Sequence, residues 1–196
     1  MSDIKKIEQH YSLDERPFLE KVRGFCHLVD ERYSPYLTDF LNPREIQIVE
    51  ELAHYYNLKF FVSSTLESEE YGRVILAPEY YELEEDDFEI KRLEISYARQ
   101  FNKLTHPKVL GALINQLGLD RQVFGDIILD EEGRVQFSIA SHLASYAIMT
   151  ITKIGNVSVT LKEVSKDDWI SNQEKYSKTF VLLSSMRLDN VLATVL

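Results

Sequence analysis

Between Leu104 and Gly125 the chain reads L-T-H-P-K-V-L-G-A-L-I-N-Q-L-G-L-D-R-Q-V-F-G, and this stretch restricts the possible folds more than any other. Leu110, Leu113, Ile114 and Leu117 recur at i, i+3, i+4 and i+7, one face of an α-helix. Pro107 stands where a first helical turn tolerates a missing amide, and Gly118 where a helix can stop. The run Gly125-Asp126-Ile127-Ile128-Leu129-Asp130 follows, short, apolar and bounded by turn residues, and it predicts a strand. The rest of the chain is organised around this passage from helix to strand.

On either side the pattern extends. Residues 90–97 alternate, with Leu93, Ile95 and Tyr97 on one face and Arg92, Glu94 and Ser96 on the other. After the helix (about 107–117) and strand (126–130), Glu131-Glu132-Gly133 turns the chain, the glycine supplying the positive φ of a tight hairpin. The return strand, 134–139, points Val135, Phe137 and Ile139 inward. Leu143, Ala144, Ala147, Ile148 and Ile151 form a second helical stripe, stopped at Gly155, and Val157, Val159 and Leu161 alternate as a fourth strand. The order is β-α-β-β-α-β, a ferredoxin-like arrangement over residues 87–165. That topology serves RNA binders, enzymes and small-molecule binders alike, so it assigns no function. RNA-recognition modules of this topology stack bases on aromatics projecting from the two central strands. Here the outward positions are Arg92, Glu94 and Ser96 beside Arg134, Gln136 and Ser138, with no aromatic among them. If this domain meets RNA, cations in loops and at helix ends must make the contact.

The first 86 residues predict a smaller α/β domain, which makes the whole chain α+β. Ser12-Leu13-Asp14-Glu15 has capping-box spacing and opens a helix that faces Phe18, Val22, Phe25, Cys26 and Val29 inward, after a weaker helix over residues 4–9. Asn42-Pro43-Arg44-Glu45 repeats the capping logic ahead of the stripe Ile46, Val49, Leu52, Ala53 and Tyr56. Residues 58–64 and 73–77 read as strands, the second ended by Pro78. The acidic run Glu82-Leu83-Glu84-Glu85-Asp86-Asp87 then separates the two domains. The pairs Tyr55-Tyr56, Phe60-Phe61 and Tyr80-Tyr81 invite base stacking, but alternation turns one member of each pair into the core. Residues 166–184 follow neither period clearly and predict a connector, anchored by Trp169 and leading into a strand at 179–184.

With 44% apolar residues in 196, the chain can bury a proper core. No apolar run is long enough for a bilayer, and no apolar segment follows Met1-Ser2-Asp3-Ile4-Lys5-Lys6 as in a signal peptide. Cys26 is the single cysteine, so an intrachain disulfide is excluded and a reducing cytoplasm is the expected location. A net charge of −10 argues against a protein that coats nucleic acid all over. From Lys91 to Gly125, however, six basic residues face two acidic ones, a local +4, and the remainder carries −14. The balance favours a localised anionic contact. Phosphate-binding glycine loops, a nucleophile elbow and metal-spaced histidines are all absent from the sequence, which therefore calls for no cofactor, no metal and no catalysis.

The ordered set Phe101, Leu104, His106, Leu110-Gly111-Ala112-Leu113, Leu117-Gly118-Leu119, Arg121 and Gly125-Asp126-Ile127 resembles the signature of the YlmH proteins, bacterial ribosome-associated RNA-binding proteins. One departure from the family pattern is that Pro107-Lys108 follows the histidine, where the family commonly has Arg-Asp. Ser185-Met186-Arg187-Leu188-Asp189-Asn190-Val191-Leu192-Ala193 resembles the opening of the alpha-L RNA-binding motif. Leu188, Val191, Leu192, Val195 and Leu196 keep helical spacing to the last residue, so the expectation is a third domain, 185–196, cut short. The resemblance implies association with rRNA, tRNA and the large ribosomal subunit in the rescue or quality control of stalled ribosomes, together with a link to cell division. The candidate RNA contacts are Arg92, Arg99, Lys103, His106, Lys108, Arg121 and Arg187. One rival is an adaptor whose acidic first domain docks a division protein. The other is an RNA-modifying enzyme, because Arg187-Leu188-Asp189 resembles the Arg-Leu-Asp of pseudouridine synthases, although their flanking glycine and Thr-Ser-Gly are missing.

Overall fold

The computed structural model describes residues 11–63 and 69–170. The predicted helix at 4–9, most of the connector and the Arg187 motif lie outside them.

In the first unit α1 (Arg16–Arg32) buries Leu19, Val22, Cys26 and Val29, with Phe18 and Phe25 packed at the margin. The capping box expected at Ser12 is only half made. The Ser12 amide donates to Glu15 Oε2 at 2.8 Å, but no side chain caps the helix, which begins one residue after Glu15. Glu15 instead accepts from Arg44 Nε at 2.6 Å, and that bond, with the Ser12 amide, holds its carboxyl down at about 2. The second box is complete. Asn42 Oδ1 accepts from the Glu45 amide and Glu45 Oε2 from the Asn42 amide, both at 2.9 Å, at the start of α2 (Pro43–Tyr55).

These helices cover a three-stranded antiparallel sheet of order β1-β3-β2, made of β1 (Tyr36–Leu41), β2 (Lys59–Val62) and β3 (Gly72–Ala77). Strand β1 is not expected from the sequence, for a physical reason. Its pairing with β3 shifts register between Leu37 and Phe40, so strict alternation is lost. At the irregularity Thr38 Oγ1 accepts from the Val74 amide at 2.9 Å. Leu41 then enters the first core, while Phe40 faces the second unit. One member of two aromatic pairs turns inward, Tyr56 beside exposed Tyr55 and Tyr81 beside exposed Tyr80, but Phe60 and Phe61 both pack against cores, each against a different one, so the expectation fails for that pair.

A turn at Glu85–Phe88 leads into the second unit. Its elements are β4 (Ile90–Ser96), α3 (His106–Leu117), β5 (Phe124–Leu129), β6 (Val135–Ala140), α4 (Ser141–Thr150), a two-residue hairpin β7 (Lys153–Ile154) and β8 (Val157–Ser158), and β9 (Thr160–Glu163). The sheet order is β5-β6-β4-β9, with every neighbour antiparallel, which is the ferredoxin-like arrangement. Gly118 ends α3 at φ +63° and Gly133 makes the β5–β6 turn at φ +78°, where L residues are strained.

Two expectations are corrected here. The second helix ends at Thr150, not at Gly155; that glycine, at φ +59°, turns the β7–β8 hairpin. Val157 pairs with Ile154 in the hairpin, so the fourth strand starts only at Thr160. Among the described residues no helix is long and apolar enough to cross a membrane.

Candidate nucleic-acid interface

The four-stranded sheet has two unlike faces. Toward the helices, Leu93, Ile95, Val135, Phe137 and Ile139 join Val109, Leu113 and Ala147 in one apolar core. Toward the other side project Arg92, Glu94, Gln136 and Ser138, and all four are buried. The chain itself covers them. Gln136 Nε2 donates to the Asp168 carbonyl at 3.0 Å, and its Oε1 accepts from the Ile170 amide at 2.9 Å. Arg134 donates to Glu94 at 3.0 Å. Burial alone would raise the pKa of Glu94, but the hydrogen bonds from Gln136 and Arg134 outweigh it and hold the carboxyl below its ordinary value.

Arg92 does not offer its charge to a ligand. It is 2% exposed, pairs with Glu69 from the first unit, and lies over the Trp169 ring at 4.0 Å from the centroid. Burial lowers the pKa of Arg92 and raises that of Glu69, and the attraction between them offsets this only in part. This placement corrects the reading of Arg92 as a surface RNA contact. Trp169 does anchor the segment after β9, and it does so by covering this face.

Arg121 is also committed to the junction. Its guanidinium stacks 4.1 Å from the Tyr71 centroid and donates to the Phe124 carbonyl. Beside it, Asp126 Oδ2 accepts from the Tyr71 amide at 3.0 Å, and burial raises the pKa of that carboxyl. Gly125 lets the units close: a Cβ there would lie 2.7 Å from Phe40 Cε1 and 2.9 Å from Ser138 Cβ. Arg99 remains half-exposed, 3.7 Å from Glu94 and beside the Gly133 turn. Arg187 lies outside the described residues.

Lys103, His106 and Lys108 are exposed on the helix side. His106 is the first residue of α3, whose N-cap, Thr105, makes no side-chain cap bond, leaving first-turn amides for solvent or an anion. Lys103 and Lys108 line one groove of about 520 Å³ between α3 and the β7–β8 hairpin. Leu104, Ala112, Ile154 and Val157 give it apolar wall, and Asn115, Gln116 and Asn156 bring carboxamides to it. Gln116 Nε2 donates to the Lys153 carbonyl at 2.7 Å and ties hairpin to helix.

Sequence reasoning did not find these carboxamides, because the hairpin that brings Asn156 to α3 was not expected. One signal was visible all the same. Of 32 aspartates and glutamates, none lies between Ile95 and Leu119 or between Gly133 and Lys162, the segments that hold both helices and the hairpin. A window sum over Lys91–Gly125 blurs that absence by including Glu94 and Asp120.

Comparison with known proteins bears on the same half of the chain. Residues 84–168 match the family model described as "Putative RNA-binding domain in YlmH". Over 195 residues the chain is 34% identical to the "Ribosome-associated protein quality control protein P2" of Bacillus subtilis (strain 168), spanning 100% of this chain and 74% of that relative. The chain belongs to the YlmH family. A solved YlmH structure, named as a cell division protein of Streptococcus pneumoniae, is 41% identical and superposes with a TM-score of 0.70, covering 80% of this chain and 94% of that one. The mixed α and β architecture is therefore that of YlmH.

Proposed function

We propose that this YlmH-family chain is a cytoplasmic, non-catalytic RNA-binding protein that associates with the large ribosomal subunit and tRNA in the quality control of stalled ribosomes. One observation carries the reading: the half of the chain that matches the family's RNA-binding domain presents helices and a hairpin without a single carboxylate side chain, in a protein of net charge −10. Phosphate binding rests on cations free of competing acids, and Lys103, Lys108 and His106 stand in this region, with half-exposed Arg99, loosely paired with Glu94, beside it. The name of the Bacillus relative supplies the ribosomal context. Arg187 and the alpha-L-like segment belong to the proposal as a second RNA contact. The reading requires no reaction step.

The test is co-sedimentation with ribosomes across a salt series, comparing wild type with a protein in which Arg99, Lys103, His106 and Lys108 are alanine. Retention should fall, and its salt dependence should flatten by roughly 0.7–0.9 in log–log slope per lost phosphate contact. Equal retention with an equal slope would sink the reading. The name of the pneumococcal relative favours a second one, an adaptor for a division protein. A partner captured equally well after nuclease treatment would favour that alternative.

A further inference from the structure

We propose that the groove between α3 and the β7–β8 hairpin takes one unpaired nucleotide of single-stranded RNA. This rests on the RNA-binding reading and names the ligand of that site. Lys108, Gly111 and Asn115 follow one another along α3 at helical spacing, and all three line the groove. From Lys108 to Asn115 the helix rises about 10 Å, a span of the same order as that from a backbone phosphate to the far edge of its base. The cations lie at one end, where Lys103 joins Lys108 beside the uncapped first turn. At the other end Asn115 and, from the hairpin, Asn156 bring carboxamides that make no hydrogen bond to another described residue. Carboxamides match the mixed donors and acceptors of a base edge, and the apolar wall matches a base face.

Gly111 is the residue that packing leaves unexplained. A glycine inside a helix weakens it relative to alanine, and such a site usually has a steric reason. Here a Cβ would meet nothing within 4 Å, so no neighbour in the described structure forbids a side chain. The space it leaves open belongs to the groove. Approach of a ligand to the helix backbone accounts for it. RNA cannot reach the opposite face of the sheet as RNA-recognition modules permit, because residues 165–170 and Glu69 occupy it.

Gly111→Gln fills the groove without changing charge and with a better helix former. The probes are fluorescein-labelled hexauridylate and hexaadenylate, a blunt RNA duplex, and a phosphoserine hexapeptide of equal charge. They are read by anisotropy across a salt series, with ribosome co-sedimentation run in parallel. Gly111→Gln should weaken single-strand binding about tenfold or more at every salt concentration, keep the salt slope, and keep or raise the melting temperature. Lys103→Ala with Lys108→Ala should instead flatten the slope by roughly 1.4. A wild type that sediments with ribosomes yet ignores the hexanucleotides, or binds them equally after Gly111→Gln, overturns the groove assignment and leaves the RNA reading standing. Tighter binding of the duplex or of the phosphopeptide overturns the unpaired nucleotide as occupant. A wild type that binds neither ribosomes nor RNA removes both readings.

Discussion

Arg92 and Lys108 lie in the same basic stretch of sequence, yet the two sides of one sheet treat them oppositely. On the face away from the helices, Arg92, Gln136 and Glu94 each meet a partner from elsewhere in the chain: Glu69 reaches Arg92, Asp168 and Ile170 reach Gln136, and Arg134 reaches Glu94. On the helix side neither helix nor the β7–β8 hairpin carries an acid, so Lys103 and Lys108 stand exposed beside a groove. On the proposed reading, cations serve as binding groups where the fold brings no carboxylate to them. Where it does, they become mortar. Local charge in a sequence thus does not tell which cations the fold leaves exposed, whereas the absence of opposite charge from a folded face does.

The comparison breaks most directly at Arg92. Arg92→Ala leaves Glu69 buried without its partner and removes the cation over Trp169, which should cost about 3–5 kcal/mol. Urea unfolding measures it. Arg92→Met with Glu69→Leu removes both charges and should recover much of that loss; a double variant as unstable as the single one would show that this face needs the ion pair itself. The next effect is steric. Gly125→Ala sets a Cβ 2.7 Å from the Phe40 ring of the first unit and 2.9 Å from Ser138 on the neighbouring strand, so the ring or the backbone must shift, at about 1–3 kcal/mol by the same assay. An unchanged midpoint would mean that the junction is looser than its geometry.

The legible parts of the molecule are those whose causes lie within a few residues of one another. The Asn42–Glu45 cap, the helix from His106 to Gly118 and the Gly133 hairpin follow from local spacing, and all three form. Strand β1 was hidden because its irregularity at Leu37–Phe40 breaks the period of two, and β7–β8 because two-residue strands have no period to show. The site divides in the same way. Lys103, His106 and Lys108 are exposed as local charge suggested. Arg92 is not, since Glu69, 23 residues upstream, and Trp169 at the far end of the domain decide its surroundings.

A smaller effect separates the faces by pH. Glu94 is held below its ordinary pKa in the folded chain, so its contribution to stability is complete above the unfolded value and is lost as pH falls through the folded one. Glu94→Gln keeps one acceptor for Arg134 or Gln136 and should cost about 1 kcal/mol near neutrality. The difference from wild type should shrink on acidification below about pH 4.3. Asp126, whose pKa burial raises, works in the opposite sense in both proteins and cancels from that difference. A gap that stays constant to pH 2 would mean that the hydrogen bonds do not depend on the charge of Glu94.

The smallest effect on stability is also the sharpest contrast. Lys108 is exposed in the first turn of α3, and among the described residues no carboxylate pairs with it. The positive end of the helix dipole even disfavours a cation there. Lys108→Ala should therefore move the unfolding free energy by less than about 0.5 kcal/mol, and upward if at all. Its effect on ribosome retention should be the larger one, a weakening that fades at high salt. Set beside Arg92→Ala, which acts on folding first, this separates the two roles of a cation in one domain. If Lys108→Ala destabilised the fold by as much as Gly125→Ala, the helix side would be held together by charge too, and the distinction between the faces would fail.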